Sequence, residues 1–467
     1  MGENRHEEKP QFGTSGLRGL DAALTDQLIA RYTSVFASLF PHDGTLLIGQ
    51  DLRASSPRIA RAVASGAVAN SVRTIDCGVL PTPALALAAM DHGTLAIMVT
   101  GSHIPADRNG LKFFTANGEI TKDDETLLSS AIADAESTTA VDPMIEPGDV
   151  LAAYASRYTD FWGAHALNGL RIGVWEHSSA AREVLPDILR GLGAEVVTLG
   201  RSDTFIPVDT EAIGPDVRNR FAPWVTEHGL DAVVSTDGDA DRPLVVDSDG
   251  RVVPGDIIGP IAARALGANR IVTTITANTL VERMGSFDTV DRCRIGSPFV
   301  IKAMTSSSRD NNAKTIGYEP NGGLILGYDV RRGPKRLARL MTRDAVLPIV
   351  AVLAAAQESS LRALVGDLPN RRTATDRLSD VPREDAVQLI DNLIASDLGV
   401  LQDRLGRLEK TDTTDGARMT FSTGVIVTLR ASGNAPELRC YVEADDELVA
   451  ETTLANLIAN TRRALKR

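Results

Sequence analysis

The chain has 467 residues, of which 43% are hydrophobic, so it is long enough for three or four domains that each bury a core. Its 49 basic and 61 acidic residues give a net charge of -12, which argues against a general nucleic-acid surface because phosphate backbones need clustered cations. No apolar run approaches the roughly 18 residues of a membrane span, and the polar N-terminus lacks the apolar core of a signal peptide. We therefore expect a cytoplasmic protein with neither nucleic-acid nor membrane partners.

The first distinctive stretch is rich in glycine and hydroxyl groups, because residues 12–19 are FGTSGLRG. Its glycines can form a backbone nest for an anion, and Arg18 can act as a charged clamp. An ordinary loop explains the same local pattern and is the simpler interpretation of this stretch alone.

Strands and helices alternate after this stretch. Residues 45–49 are a predicted strand, Ser56 is the predicted N-cap of a helix through Val72, and residues 74–77 are the next strand. This alternation predicts a mainly parallel sheet with helices on both faces.

The apolar run at residues 95–99 is a predicted buried strand, and the loop after it carries Ser102 and His103. Ligands usually bind at such loops in α/β sheets. A turn through residues 109–110 could fold Lys112 back toward the serine. Serine, histidine and lysine could together carry covalent and acid–base chemistry. A serine-rich turn with surface charges is the alternative interpretation.

A second α/β set follows residues 135–148, a stretch rich in serine and threonine that is the predicted first linker. A predicted strand at residues 231–236 delivers Asp237, Asp239 and Asp241. Three carboxylates at alternate positions can converge on one hard cation, and without a cation they would repel one another. The pattern favours a metal site over a solvated acidic turn.

A third α/β set brings Glu319 and Asn321 to the end of a predicted strand, before a turn that contains Gly322. Acceptors and donors at this point suit sugar hydroxyls. A tight hairpin would explain the same residues equally well.

The architecture changes near residue 368. One helix, adjacent hairpin strands and a last helix predict an antiparallel α+β unit. Arg430, Ser432, Gly433 and Asn434 lie between two of these strands and offer a guanidinium, a hydroxyl, a backbone N–H and an amide. Such a set can cradle an oxyanion, whereas a plain hairpin loop would have no ligand.

These groups lie at the tips of predicted strands, one group in each unit, so four domains could meet around a single cleft. The segments FGTSGLRG, TGSHIPADRNGLK, DGDADR, YEPNGG and RASGNAP resemble, in order and spacing, the five signature segments of the α-D-phosphohexomutases. YEPNGG and the segment that starts at Leu368 are most similar to those of bacterial phosphomannomutases.

The resemblance implies a fold of three mixed α/β domains plus a C-terminal α+β domain, arranged as a heart around a central cleft. The predicted domains are residues 1–148 with the phosphoserine loop, 149–253 with the metal-binding loop, 254–367 with the sugar-binding loop, and 368–467 with the phosphate-binding loop.

The resemblance also implies roles for individual residues. Ser102 would carry the transferred phosphate, and the groups around the reacting phosphate would be His103, Lys112, Arg242 and Arg18. One Mg2+ ion would be held by a phosphoserine oxygen of Ser102 and by Asp237, Asp239 and Asp241. The substrate would be bound by Glu319, Asn321, Gly322, Arg294, Arg430, Ser432, Gly433 and Asn434.

The implied reaction interconverts mannose 6-phosphate and mannose 1-phosphate. The phosphoserine donates its phosphate, a hexose 1,6-bisphosphate forms and turns over in the cleft, and the other phosphate returns to Ser102. The expected partners are hexose phosphates, and we expect a monomer or a homodimer.

Three alternatives stay open or are disfavoured. Ile104, Gly323 and Asn434 depart from the commoner family patterns, which leaves a phosphoglucomutase or a dual phosphogluco/phosphomannomutase as the first alternative. A non-catalytic sugar-phosphate binding protein is the alternative from another class. A phosphatase with Asp237 as nucleophile is disfavoured because it leaves Ser102 without a role.

Overall fold

The computed structural model describes residues 9–134, 145–306, 313–395, 405–433 and 436–465. Its first unit is a sheet between helices. The elements of this unit, in chain order, are β1 (Gln11–Phe12), β2 (Leu17–Leu20), α1 (Asp26–Leu39), β3 (Thr45–Gln50), α2 (Ser56–Val68), β4 (Arg73–Val79), α3 (Thr82–His92), β5 (Leu95–Val99), β6 (Arg108–Thr115), β7 (Gly118–Glu119), α4 (Lys122–Asp134) and β8 (Ile145–Pro147).

The first sheet is mixed, with the strand order β1-β2-β6-β5-β3-β4-β8, and β7 pairs with β6. Strands β3, β4, β5 and β8 are parallel, whereas β6 is antiparallel to β5. Ile97 and Val99 of β5 belong to the core formed with α1, α2 and α4, while Ala96 and Met98 belong to the core that contains α3. The sheet therefore has helices on both faces, as the alternating pattern predicted. The predicted mainly parallel pairing is wrong, because β1, β2, β6 and β7 all pair antiparallel to their neighbours.

The predicted turn before Lys112 is wrong. Residues 109–110 lie within β6, and Lys112 pairs with Met98 of β5. The apolar residues Leu111 and Phe113 extend the strand, so Lys112 reaches the cleft from an antiparallel neighbour of β5.

Two predicted boundaries in the first unit also differ. Ser55, not Ser56, is the N-cap of α2, because the Ser56 hydroxyl donates to Asp51 at the end of β3. Helix α2 ends at Val68 and not at Val72. In the predicted linker, Ile145–Pro147 is strand β8 and pairs with β4. The remaining linker residues up to 144 lie outside the described part of the chain.

The second and third units repeat the α/β pattern. The second consists of α5 (Leu151–Trp162), β9 (Arg171–Trp175), α6 (Val184–Gly191), β10 (Glu195–Leu199), α7 (Pro215–His228), β11 (Ala232–Thr236), β12 (Pro243–Val246) and β13 (Val252–Val253). The third consists of α8 (Gly255–Ala265), β14 (Arg270–Thr274), α9 (Leu280–Arg283), β15 (Thr289–Cys293), α10 (Ser297–Ser306), β16 (Thr315–Tyr318), β17 (Leu324–Leu326), β18 (Val330–Arg332), β19 (Lys335–Leu337), β20 (Leu340–Asp344), α11 (Val346–Ala355) and α12 (Leu361–Gly366).

Both sheets have a parallel half and an antiparallel half. The order is β10-β9-β11-β12-β13 in the second unit and β15-β14-β16-β17-β20 in the third, where β18 and β19 form a separate hairpin. Strands β9 to β11 and strands β14 to β16 are parallel, and the strand after each group turns back as a hairpin. The loops at these two reversals, after β11 and after β16, carry the acidic and sugar-loop motifs.

The last unit is an antiparallel sheet with two helices. It consists of β21 (Arg372–Ser379), α13 (Arg383–Ala395), β22 (Leu408–Asp412), β23 (Ala417–Phe421), β24 (Ile426–Ala431), β25 (Glu437–Ala444) and α14 (Glu447–Leu465), with the strand order β21-β25-β24-β23-β22. The predicted fold class, three α/β units and an α+β unit, is confirmed. The sequence did not predict the two edge strands, β21 and β22, because most of their side chains are polar and leave no apolar alternation.

The first three units share a hydrophobic core, whereas the last unit has its own. Buried residues of α3, α5, α8 and α11 form one continuous cluster, and the last sheet and its helices form a separate one. The last unit meets the third through polar contacts: Glu443 accepts from the Thr279 amide at 2.7 Å, and Asp445 accepts from Arg283 at 2.6 Å. None of the helices in the described ranges combines the length and apolar character needed to cross a membrane.

We expect Gly66→Ala to separate α1 from α2. A Cβ at Gly66 would lie 2.2 Å from the carbonyl oxygen of Ala30, a backbone atom that cannot turn aside. The substitution should lower the free energy of unfolding in urea by about 1–3 kcal/mol. Gly366→Ala is the matched control, because nothing lies within 4 Å of its added Cβ. A Gly66→Ala protein as stable as the wild type would contradict this packing.

Candidate active site

The loop after β5 holds Ser102 in an uncommon backbone conformation. Its φ is +53°, in the left-handed region that non-glycine residues rarely adopt. The buried guanidinium of Arg53 fixes this loop by donating to the carbonyl oxygens of Ser102 at 2.9 Å, Ile104 at 2.7 Å and Pro105 at 2.6 Å. Asp51 in turn pairs with Arg53 at 3.2 Å, so this buried ion pair supports the serine loop.

The loop after β11 brings three carboxylates together. Asp237, Asp239 and Asp241 are buried, and one oxygen from each lies within 4.8 Å of the others. Ser102 Oγ donates to Asp237 Oδ2 at 2.7 Å, so the two predicted loops meet directly. Gly238 makes this approach possible, since a Cβ there would lie 2.8 Å from the Ser102 carbonyl oxygen.

Lys112 neutralises part of this acidic cluster. Its Nζ donates to Asp239 Oδ2 and to Asp241 Oδ2, both at 2.6 Å. Burial opposes the ammonium charge, but Asp239 and Asp241 outweigh it and raise the pKa of Lys112. Burial likewise opposes the charge of Asp241. Its cationic neighbours, among which Arg343 has the largest effect, nevertheless hold the pKa of Asp241 below its usual value. Lys112 is therefore an ammonium ion at neutral pH.

His103, Arg242 and Arg18 face the cleft beside the serine. His103 Nδ1 lies 3.2 Å from Ser102 Oγ. Burial, with the charges of Arg242 and Arg18, holds the pKa of His103 well below its usual value, so its imidazole is neutral. Burial and Arg242 lower the pKa of Arg18 to about 10. Arg18 Nη1 has no hydrogen-bond partner among the described residues, which leaves this donor for an anion, whereas Arg242 Nε lies 3.7 Å from Asp241 Oδ1 and 3.8 Å from Asp237 Oδ2.

The turn between β16 and β17 holds the predicted sugar-loop residues. Glu319 and Asn321 are buried and line the cleft, and Gly322 has a φ of +84°, which this tight turn requires. Glu319 Oε2 accepts from the Gly296 amide at 3.2 Å. Arg294 is exposed and stacks over the Phe299 ring, with 5.2 Å from its guanidinium carbon to the ring centroid. Arg294 is thus set apart from the cleft lining.

The loop after β24 forms the far wall of the cleft. Arg430 and Ser432 line the cleft, and Arg430 Nε donates to Asp415 Oδ2 at 3.0 Å. The same carboxylate oxygen accepts from the Ile295 amide of the third unit at 3.0 Å. Gly433 is exposed, and the predicted residue Asn434 lies outside the described residues.

All four units contribute to one cleft that opens to solvent. The residues that line it are Thr14, Ser15, Arg18, His103, Glu211, Arg242, Thr276, Ile295, Glu319, Pro320, Asn321, Arg343, Arg430, Ser432, Arg439 and Tyr441.

Sequence reasoning missed Arg343 and Arg439. Arg343 lies in β20 and donates to Asp241 and Glu319. Arg439 lies directly opposite Arg430 in the pairing of β25 with β24. Like charges opposite one another repel unless an anion lies between them, but this signal appears only when the strand register is known. Glu211 was also missed, and burial raises its pKa to about 6.

The acidic cluster fits a hard divalent cation. Asp239 Oδ1 and Asp241 Oδ1 are buried and accept no hydrogen bond from any described residue. Carboxylate oxygens are the ligands that Mg2+ prefers, and unpartnered buried acceptors are costly without a cation. Ser102, the three aspartates and Lys112 thus form a centre that could bind a phosphate and a metal side by side.

Models of a known family match all four units. Those described as phosphoglucomutase/phosphomannomutase alpha/beta/alpha domains I, II and III match residues 9–139, 152–250 and 254–371, and the model of the C-terminal domain matches residues 379–460.

Relatives that align along nearly the whole chain agree with these family models. A phosphomannomutase of Sinorhizobium fredii (strain NBRC 101917 / NGR234) is 43% identical over 468 residues, which cover 96% of this chain and 98% of that protein. A phosphomannomutase of Salmonella muenchen is 40% identical and covers 97% of this chain and 96% of that protein. The crystal structure of a phosphoglucomutase/phosphomannomutase family protein from Burkholderia thailandensis has the same fold, with a TM-score of 0.77, 21% identity and coverage of 97% of this chain and 96% of that chain. Matched in every unit and along nearly its whole length, the chain belongs to the phosphoglucomutase/phosphomannomutase family.

Proposed function

We propose that the protein is a phosphohexomutase that interconverts mannose 6-phosphate and mannose 1-phosphate through a phosphate carried on Ser102. The observation that carries this proposal is the convergence of Ser102, three buried carboxylates and Lys112 directly behind His103 and Arg242, which line a cleft with two basic walls. The non-catalytic alternative would not need a strained serine against a metal-type carboxylate cluster.

Mannose is the proposed sugar because two relatives, 43% and 40% identical to this chain, are phosphomannomutases. Glu319 and Asn321 lie where they can bind sugar hydroxyls between the serine loop and the phosphate loop. Mannose and glucose phosphates differ at one hydroxyl, so a rate comparison on both sugars decides between the mannomutase and the dual alternative.

We further propose Mg2+ as the resident cation. Asp237, Asp239 and Asp241 would hold it, together with an oxygen of the phosphate on Ser102. When bound, Mg2+ would offset the charge that develops on the transferring phosphoryl group. Lys112 would then remain beside Asp239 and Asp241 as a fixed positive charge, because its pKa is raised.

In the first transfer, the bond from phosphorus to Ser102 Oγ breaks and a bond from phosphorus to a sugar hydroxyl oxygen forms. We assign the neutral imidazole of His103 as the group that accepts the proton of the sugar hydroxyl and passes a proton to the departing Ser102 Oγ, which lies 3.2 Å from its Nδ1. The guanidinium groups of Arg242 and Arg18 line the cleft beside His103 and would stabilise the phosphoryl oxygens.

In the second transfer, the hexose 1,6-bisphosphate must turn so that its other phosphate faces Ser102. Arg430 and Ser432 would hold whichever phosphate is not reacting, which requires a loop that accepts both orientations. The last unit has its own core and polar contacts to the third unit, so it can adjust without disturbing the metal loop. Supplied hexose 1,6-bisphosphate would also restore a lost phosphate to Ser102.

The phosphate on Ser102 is tested by intact-mass measurement of the purified protein. We expect the added mass of one phosphate group, lost together with turnover in Ser102→Ala. Ser55→Ala, a change at a serine outside the cleft, should keep both. An unphosphorylated Ser102 and no turnover, even with added hexose 1,6-bisphosphate, would favour the non-catalytic sugar-phosphate binding protein.

The metal site is tested with Asp239→Asn. Loss of one carboxylate should weaken Mg2+ binding, measured by titration calorimetry, by about 100-fold or more, and turnover should fall with it. Asp247→Asn is the matched control, because Asp247 is a buried aspartate of the same unit that accepts from the backbone amides of Asp249 and Arg251 in its own turn. Wild-type affinity in Asp239→Asn would count against this metal site.

The phosphate loop is tested with Arg430→Ala. Without its charge-assisted hydrogen bonds to the non-reacting phosphate, the KM for both hexose monophosphates should rise by about 10- to 100-fold. Arg407→Ala, at an arginine of the same unit whose side chain is 84% exposed, should leave KM unchanged. Unaltered KM values in Arg430→Ala would remove this residue from the substrate site.

A further inference from the structure

Arg343 connects two loops that the sequence motifs treat separately. It lies at the end of β20, with only 2% of its surface exposed. Its Nη2 donates to Asp241 Oδ2 at 2.6 Å, and its Nη1 donates to Glu319 Oε1 at 2.7 Å. One guanidinium thus joins the acidic loop of the second unit to the sugar loop of the third.

We propose that Arg343 is a positioning residue that sets the geometry of the cation site and of the sugar-binding carboxylate together. This inference rests on the proposed function, since it assigns the binding of cation and hexose to those two loops. Arg343 belongs to none of the five signature segments.

On the cation side, Arg343 decides which oxygen of Asp241 remains available. Asp241 Oδ2 accepts from both Arg343 and Lys112, at 2.6 Å each. Asp241 Oδ1 accepts no hydrogen bond from a described residue, and Arg242 Nε lies 3.7 Å from it. The two cations therefore fix the carboxylate through one oxygen and leave the other for a metal ion.

On the sugar side, Arg343 fixes the plane of a second carboxylate. Glu319 Oε1 accepts from Arg343, and Glu319 Oε2 accepts from the Gly296 amide at 3.2 Å. A carboxylate held through both oxygens presents its remaining lone pairs in set directions, as recognition of hydroxyl groups requires.

Arg343 is itself held in place from both ends. The carboxylate of its neighbour Asp344 accepts from the hydroxyl groups of Tyr154, at 2.8 Å, and Tyr158. The side chain of Arg343 passes over Gly323, where an added Cβ would lie 2.8 Å from Arg343 Cδ. The missing side chain at Gly323, one of the departures from the family pattern, thus makes room for the arginine.

The guanidinium fork is essential to this role. Arginine donates from two nitrogen atoms in a fixed plane and can engage both carboxylates at once, whereas lysine is a single point charge. A positioning role therefore predicts that charge alone does not replace Arg343.

The experiment compares the wild type, Arg343→Met and Arg343→Lys. Three quantities are measured: the Kd of Mg2+ by calorimetry without sugar, the KM and kcat on both mannose phosphates, and the melting temperature. Arg336→Met is the matched control, because Arg336 lies in the same unit with its side chain 54% exposed and pairs with Asp329 on the surface.

We expect Arg343→Met to weaken Mg2+ binding and to raise KM, each by about 10- to 100-fold. Arg343→Lys should return either the Kd of Mg2+ or the KM to its wild-type value and leave the other raised by about 10-fold or more. Wild-type Kd and KM in Arg343→Met, with only a lower melting temperature, would overturn the proposal, as would full recovery of both constants in Arg343→Lys.

Failure of the two proposals can be told apart. If the wild type interconverts no hexose phosphate, the proposed function fails, while the Mg2+ titrations still test the cation half of the role of Arg343. If Arg343→Met does not fold, Arg343→Lys, which keeps the charge, tests the positioning role through the Kd of Mg2+ and the KM.

Discussion

The structure depends on the balance of charge around three buried aspartates. Asp237, Asp239 and Asp241 lie with their oxygens within 4.8 Å of one another, shielded from water. Buried charges at that spacing are tolerated only when paired. Their cationic partners come from three units, Lys112 from the first, Arg242 from the second and Arg343 from the third. The acidic loop therefore forces three units to meet, and the shared hydrophobic core between them holds that arrangement.

This charge balance divides the cleft into a fixed side and an adjustable side. The serine loop, the acidic loop and the sugar loop are joined by short hydrogen bonds among buried side chains. The phosphate loop belongs to a unit with a separate core, held by ion pairs and a bridging carboxylate, Asp415. A reaction in which one phosphate stays at a fixed centre while the sugar turns between transfers needs such a division.

The sequence allowed the strand-tip motifs to be identified, because a strand end in an α/β sheet is where polar groups meet a ligand. It therefore predicted the fold class and the meeting of Ser102 with the aspartates. It could not predict Arg343 or Arg439, since a lone arginine in a strand gains meaning only from register and from the facing unit. The path to Lys112 was predicted wrongly because Asn-Gly usually marks a turn, and here the apolar residues that follow continue a strand.

The central claim is that Ser102 passes its own phosphate to the sugar. It is tested most directly by labelling the protein with 32P from a labelled hexose 1,6-bisphosphate, removing excess label, and mixing it with unlabelled mannose 1-phosphate for a single turnover. If Ser102 donates its phosphate, the label leaves the protein and appears in hexose phosphate at the rate of turnover. Label that stays on the protein while mannose 6-phosphate forms would contradict it.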